Sequence, residues 1–174
     1  MNFQEHIPIG TKTTMKIGGT ARFYAENVEK NEVEEAWKFA QEKNLQLIML
    51  GGGSNTIFAD SEVNAVVCRM KADAMTINSP EPASPTRAVT VQSGKILASL
   101  INELANSDLD LSALTGIPGT VGGAVFGNAG QGAGGTWINS YIEEVTFFVD
   151  GEWKTWKTDE CDFRYRESKF KELV

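Results

Sequence analysis

The two stretches that decide the fold of this chain are glycine-rich: Leu50-Gly51-Gly52-Gly53-Ser54-Asn55-Thr56, and Gly116-Ile117-Pro118-Gly119-Thr120-Val121-Gly122-Gly123-Ala124, continuing to Gly127-Asn128-Ala129-Gly130. Glycine has no Cβ, so it adopts positive φ and lets a ligand approach the main chain, and consecutive N–H groups can then converge on one anion. Either stretch alone is also compatible with an ordinary tight turn. Together they indicate a bound nucleotide with a pyrophosphate.

Each stretch is expected to supply its own donors to the anion. In the first, the glycine N–H groups form a nest, and the Ser54 hydroxyl and the Asn55 amide add side-chain donors. In the second, Pro118 fixes one dihedral angle, and residues 120–124 are expected to begin a short helix whose N-terminus faces the ligand. Lysine and arginine are not found beside either stretch in the sequence. We therefore expect main-chain dipoles, and not cationic side chains, to neutralise the diphosphate, since an uncompensated buried charge is very costly.

Composition narrows the classes of function. The chain has 174 residues, 41% of them hydrophobic, and a formal net charge of −7, which disfavours binding to nucleic acid or to acidic membrane surfaces. Its first residues lack the pattern of a signal peptide, and no apolar run is long enough to cross a bilayer, so a cytoplasmic location is expected.

Few side chains suited to catalysis are present. His6 is the one histidine, which removes most serine–histidine and histidine–metal arrangements. Cys68 and Cys161 lie far apart and are expected to be ordinary buried thiols, not a zinc site or a disulfide framework. The chemistry is therefore expected to come from a cofactor.

Periodicity predicts a β-α-β arrangement that ends at the first glycine stretch. Residues 21–26 alternate as in a strand, residues 31–43 repeat at helical spacing through Val33, Ala36, Trp37 and Ala40, and residues 45–50 form a short buried strand. The first stretch thus follows a strand, where ligands bind in open α/β folds. A Rossmann fingerprint is rejected, because residues 56–70 read as extended and Thr56 stands where a third glycine is needed.

The rest of the chain predicts one helix and two hairpins. A proline-rich loop over residues 79–86 precedes a strand at residues 88–92, and Ser93 is expected to cap a helix that ends near Asn106. Its buried stripe is expected to comprise Leu97, Leu100, Ile101 and Leu104. Residues 142–150 and 153–158 alternate on either side of Asp150-Gly151, the dipeptide preferred in tight hairpin turns.

Four ordered motifs resemble those of the UDP-N-acetylenolpyruvoylglucosamine reductases, flavoenzymes of cell-wall precursor synthesis. Residues 13–19 resemble the family's opening Thr-Thr-Phe-Arg-Ile-Gly-Gly, with Met15-Lys16 in place of Phe-Arg. Residues 50–55 resemble its Gly-x-Gly-Ser-Asn loop, and residues 116–130 resemble its second glycine stretch, although Gln131-Gly132-Ala133-Gly134-Gly135 replaces the usual Ala-Tyr-Gly. Residues 160–168 resemble its Glu-Cys-x-Phe-x-Tyr-Arg-Asp-Ser motif.

The resemblance implies an α+β fold: a two-lobed FAD-binding domain of the p-cresol methylhydroxylase or vanillyl-alcohol oxidase type, with residues 1–70 in the first lobe and 71–174 in the second. The FAD is expected to be non-covalent, because neither glycine stretch contains a histidine or cysteine. The resemblance implies a cofactor site in three parts: Gly51, Gly52, Gly53, Ser54, Asn55 and Thr56 on the pyrophosphate, Ile117, Pro118, Gly119, Thr120, Val121, Gly122, Gly123 and Ala124 along the flavin, and Asn128, Ala129 and Gly130 nearby.

The activity implied by the resemblance is reduction of the enolpyruvyl group of a UDP-sugar by NADPH through the flavin, which gives UDP-N-acetylmuramate. Arg166 matches the family's active-site arginine, and its guanidinium is expected to stabilise negative charge on the substrate carboxylate. A surface salt bridge with Glu167 or a neighbouring residue is the alternative.

The family's proton-donating serine and catalytic glutamate belong to a domain that follows the FAD domain. These 174 residues are therefore expected to bind FAD with weak or no turnover. Two other functions stay open: a non-catalytic flavin-binding module, and an oxidase of the same superfamily with another substrate.

Overall fold

In the part of the chain that the structure describes, one four-stranded sheet is formed before residue 71, and two two-stranded sheets and two α-helices follow it. The structure is a computed structural model that describes residues 1–27, 30–79, 86–131 and 135–173. Its helices and strands are β1 Gln4–Pro8, β2 Thr20–Asn27, α1 Lys30–Glu42, β3 Gln46–Leu50, β4 Val63–Met70, β5 Met75–Ile77, β6 Val89–Val91, α2 Leu97–Ala105, α3 Val121–Phe126, β7 Glu144–Val149 and β8 Glu152–Lys157.

The first sheet has the order β1-β2-β4-β3, in which β2, β4 and β3 are mutually parallel and β1 is antiparallel to β2. Helix α1 packs on it through Val33, Ala36 and Ala40, all buried, so the predicted β-α-β arrangement is confirmed. Parallel pairing places the carboxyl ends of β3 and β4 side by side, with Leu50 opposite Arg69. Strand β1 was not predicted, because it is mostly exposed and carries no apolar alternation.

The second half of the chain has its own core around α2. The four residues of the predicted stripe are buried, and they pack with Leu111, Leu114, Ala124 and Ile138. The predicted cap is wrong, because α2 begins at Leu97 after Ile96 and has no side-chain cap. Ser93 instead accepts a hydrogen bond through its carbonyl oxygen from the Gly122 N–H, at 2.8 Å.

Both predicted hairpins are present. Strands β5 and β6 pair antiparallel, while residues 80–85 of the loop between them lie outside the described residues. Strands β7 and β8 pair around Asp150 and Gly151, whose φ angles of 53° and 83° are those of the turn that this dipeptide favours.

The β7–β8 hairpin also contacts α1 in the first half of the chain. A Cβ on Gly151 would lie 2.8 Å from the Trp37 ring, and the Trp153 indole N–H donates to Glu34 at 2.7 Å. Trp37 therefore packs against the hairpin, with its ring edge-on to Phe148. Among the described helices, none has the length and apolarity needed to cross a membrane.

Candidate functional site

The two glycine stretches contact each other. The Ser54 hydroxyl donates to the Pro118 carbonyl oxygen at 3.2 Å. A Cβ on Gly51 would lie 2.5 Å from Oγ1 of Thr120, and one on Gly119 would lie 2.6 Å from Oγ of Ser54. Since real Cβ atoms do not approach other atoms this closely, glycine at these positions is what allows the two stretches to meet.

The first stretch keeps main-chain donors available. Gly53 has a φ of +68°, and a Cβ there would lie 2.7 Å from the Lys12 carbonyl oxygen, so residues 12 and 13 support the turn from behind. The Gly53 carbonyl oxygen accepts a hydrogen bond from the Thr14 N–H at 3.0 Å. Within the described ranges, no hydrogen bond is donated by the N–H groups of residues 52–55. These amides are therefore available to an anion, as a nest requires.

The second stretch forms the predicted short helix, α3, but its donors are already used. The first amides of α3 donate within the protein: Val121 and Gly122 to the carbonyl oxygens of Lys95 and Ser93, both at 2.8 Å, and Gly123 to Oγ1 of Thr120 at 3.3 Å. The expectation that this helix N-terminus donates to the ligand is therefore wrong for these three amides. The stretch can still offer the small, flat surface of its glycines.

A cleft of about 350 Å³ opens where the two stretches meet. Gly51, Gly52 and Thr120 line it, and so do three cationic side chains, those of Arg69, Lys71 and Lys95. No lysine or arginine adjoins either stretch in the sequence, and the fold brings these three side chains to the cleft from other parts of the chain. Arg69 and Lys71 reach the cleft because the carboxyl end of β4 lies beside that of β3, and Lys95 reaches it because Ile96 bridges to Thr120.

Two of these cations are paired with carboxylates. Lys71 Nζ lies 2.5 Å from Oε2 of Glu26, and Lys95 Nζ lies 2.7 Å from Oε2 of Glu103. The Lys71 ammonium holds the pKa of Glu26 below its usual range. Burial, together with a hydrogen bond to Glu26, raises the pKa of Tyr24. The cleft is thus lined by three cationic side chains and by the carboxylates of Asp73 and Glu103.

Arg166, the expected active-site residue, lies on an aromatic ring. Its guanidinium carbon is 5.3 Å from the centroid of Trp137, a cation–π distance. Trp137 in turn covers Gly130, where a Cβ would lie 2.5 Å from the indole ring. The salt-bridge alternative is not supported, because Glu167 pairs with Lys171 at 3.2 Å.

Two buried polar side chains attach the Arg166 segment to the second glycine stretch. Asn128 is 3% exposed and donates through Nδ2 to the Arg164 carbonyl oxygen at 2.9 Å. Ser168 is 4% exposed and donates to the Phe126 carbonyl oxygen at 2.6 Å. Arg164 through Ser168 are therefore fixed beside α3 and residues 128–130.

The sequence of the chain is similar to those of known flavin-binding proteins. A family described as FAD binding domain matches residues 21–154. UDP-N-acetylenolpyruvoylglucosamine reductase of Aquifex aeolicus is 36% identical over 176 residues, which cover 99% of this chain and 57% of that protein. The chain spans about half the length of the curated relatives it matches.

Solved structures show the same fold. The crystal structure of UDP-N-acetylenolpyruvylglucosamine reductase from Thermus caldophilus has a TM-score of 0.74 at 27% identity, over 96% of this chain and 57% of that one. Cholesterol oxidase from B. sterolicum shares the fold alone, with a TM-score of 0.64 at 18% identity over 92% of this chain and 33% of that one. The expected α+β fold is therefore confirmed, and the chain belongs to the FAD-binding domain family, within which it resembles about half of a UDP-N-acetylenolpyruvoylglucosamine reductase.

Proposed function

We propose that this chain is the FAD-binding portion of a UDP-N-acetylenolpyruvoylglucosamine reductase, a cytoplasmic enzyme that uses NADPH to reduce a UDP-sugar enolpyruvyl group in peptidoglycan precursor synthesis. The observation that carries the proposal is the contact between the two glycine stretches beside a basic cleft. The likeness to reductases of this name supports it. The lobes are assigned to residues 1–70 and 71–174, in line with a sheet built only from strands before residue 71.

The residues of the cleft fit a flavin dinucleotide. A diphosphate needs several donors and positive charge. Residues 52–55 offer N–H groups, and Gly52 lines the same cleft as three cationic side chains. We assign residues 51–56 to the pyrophosphate, residues 117–124 to the flavin, and residues 128–130 to its surroundings. When bound, FAD supplies the two-electron redox chemistry. The protein binds it without a covalent bond and orients it.

Arg166 is assigned to the substrate carboxylate. Stacking on Trp137 restricts the guanidinium, so less side-chain entropy is lost when it binds an anion. A fixed guanidinium presents paired donors that match a carboxylate, and it stabilises negative charge that develops there during reduction.

Flavin binding is tested by incubating the purified protein with FAD, removing unbound cofactor, and recording the visible spectrum. We expect flavin absorbance that is released into the supernatant when the protein is denatured. Protein that stays colourless would overturn the proposal, and a chromophore that stays with denatured protein would overturn the non-covalent assignment.

A pair of glycine variants locates the site. Gly51→Ala places a Cβ 2.5 Å from Oγ1 of Thr120 and is expected to weaken FAD binding by forcing the two stretches apart, whereas Gly127→Ala meets no atom closer than 3.6 Å and is the control. Equal FAD affinity in the two variants would place the cofactor elsewhere.

The reaction class is tested in the polypeptide that contains this domain. Consumption of NADPH that depends on the UDP-sugar identifies the reductase. Oxygen consumption with a reduced substrate would identify an oxidase instead.

A further inference from the structure

We propose that the Lys95 ammonium binds the diphosphate of the cofactor. Until the diphosphate binds, the Glu103 carboxylate pairs with this ammonium, and the diphosphate then replaces Glu103. This inference rests on the proposed function and names a residue that neither glycine stretch contains. The expected ligand chemistry is a nucleoside diphosphate, the part of FAD that carries the negative charge.

The position of Lys95 is fixed by its main chain. Its carbonyl oxygen accepts the Val121 N–H at 2.8 Å, and its own N–H donates to the Gln92 carbonyl oxygen at 3.1 Å. A Cβ on the preceding Gly94 would lie 2.7 Å from main-chain atoms of Ala72. This close approach holds Lys95 in the same cleft as Lys71.

The ion pair between Lys95 and Glu103 is asymmetric. The Lys95 side chain is 10% exposed, whereas that of Glu103 is 44% exposed. A buried ammonium needs an anionic partner, because burial of an unpaired charge is costly. A half-exposed carboxylate loses little when it turns to water. An arriving phosphate can therefore take the place of Glu103 at small cost.

The adjoining helix end adds positive potential. Lys95 precedes α2, whose N-terminus has no side-chain cap, and Ser99 in its first turn lines the cleft. The N-terminus of a helix carries a partial positive charge and favours an anion. Lys95 is a second positive charge at that place, so its ammonium and the helix both stabilise a bound diphosphate. Because the α3 amides are already used, Lys95 supplies charge that the second glycine stretch does not.

The test compares two substitutions that act in opposite directions. Affinities of the full chain for FAD, ADP and riboflavin are measured by isothermal titration calorimetry in the native protein, Lys95→Met and Glu103→Gln. We expect Lys95→Met to weaken ADP and FAD binding by about 10- to 100-fold, the range for a lost charge-assisted hydrogen bond. Glu103→Gln removes the competitor, and we expect it to strengthen both by about 3- to 10-fold, since an ion pair whose carboxylate is half-exposed to water is weak.

Riboflavin and a surface variant are the controls. Riboflavin carries no phosphate, so its affinity is expected to be the same in all three proteins. Lys38→Met removes an exposed lysine of α1 and is expected to change none of the affinities. Far-UV circular dichroism confirms that each variant is folded, and Glu103→Gln carries the test if Lys95→Met does not fold.

The inference is overturned if Lys95→Met binds ADP as tightly as the native protein. It is also overturned if Glu103→Gln weakens ADP binding, because the pair would then be only a structural bridge. In both cases the native protein still binds FAD, and the proposed function stands. Native protein that binds neither FAD nor ADP would overturn the proposed function and this inference together.

Discussion

Replacing Gly53 by alanine is expected to destabilise the protein more than any conformational preference alone explains. Gly53 has a φ of +68°, and a Cβ there would lie 2.7 Å from the Lys12 carbonyl oxygen and 2.8 Å from Cα of Thr13. Both are main-chain atoms, so they cannot move away by changing a rotamer. Thr14 also donates to the Gly53 carbonyl oxygen, which ties any shift of the loop to the segment behind it.

The magnitude follows from two contributions. An alanine in the left-handed region costs about 1 kcal/mol, and forcing an extra carbon into a filled space costs about 1–3 kcal/mol. The expected loss of unfolding free energy is therefore about 2–4 kcal/mol. In a chain of this length each kcal/mol lowers the melting temperature by about 2–4 °C, which gives a decrease of about 4–16 °C.

The assay is thermal unfolding without added flavin, with two other glycine variants for comparison. Gly116 has a φ of +87°, but the atom nearest to an added Cβ would be 4.0 Å away. Gly116→Ala therefore isolates the conformational cost, which is expected to lower the melting temperature by about 2–4 °C. Gly127 has a φ of −96° and a nearest atom at 3.6 Å, so its alanine variant is expected to melt close to the native protein. If Gly53→Ala has the same melting temperature as Gly116→Ala, the contact of the new Cβ with residues 12 and 13 contributes nothing to the destabilisation, and the reasoning fails.

Three further predictions concern stability and reactivity. Trp153→Phe keeps the ring but loses the hydrogen bond to Glu34, and urea unfolding is expected to show a loss of about 1–2 kcal/mol with an unchanged m value; an unchanged midpoint would contradict this. Lys71 lowers the pKa of Glu26 from 4.5, so the native state keeps Glu26 ionised where the unfolded state protonates it. Its stabilisation is present above pH 4.5 and is lost as the pH falls through the lowered pKa. Glu26→Gln should therefore show a flatter loss of stability over that range, and an unchanged slope would refute it. Burial raises the pKa of the Cys161 thiol, so a disulfide reagent is expected to label it far faster in urea than in the native protein; equal rates would exclude its burial.

Local patterns predicted most of the elements. The stripe of α2 and the strands beside Asp150-Gly151 were found because periodicity and turn residues depend on neighbours in the sequence. The start of α2 was predicted wrongly, because the Ser93 carbonyl oxygen accepts a hydrogen bond from Gly122, a residue far along the chain. Strand β1 was missed because its partner, and not its own composition, makes it a strand.

The sequence by itself predicts that two glycine stretches bind one ligand, because glycine lets consecutive main-chain N–H groups approach an anion. Only the tertiary structure shows which charged side chains lie beside those stretches. Arg69 and Lys71 come to the cleft through the parallel pairing of β3 with β4, and Lys95 through the contact of residue 96 with Thr120. Such contacts join residues remote in the chain, so no motif could reveal that basic side chains stand beside the main-chain donors.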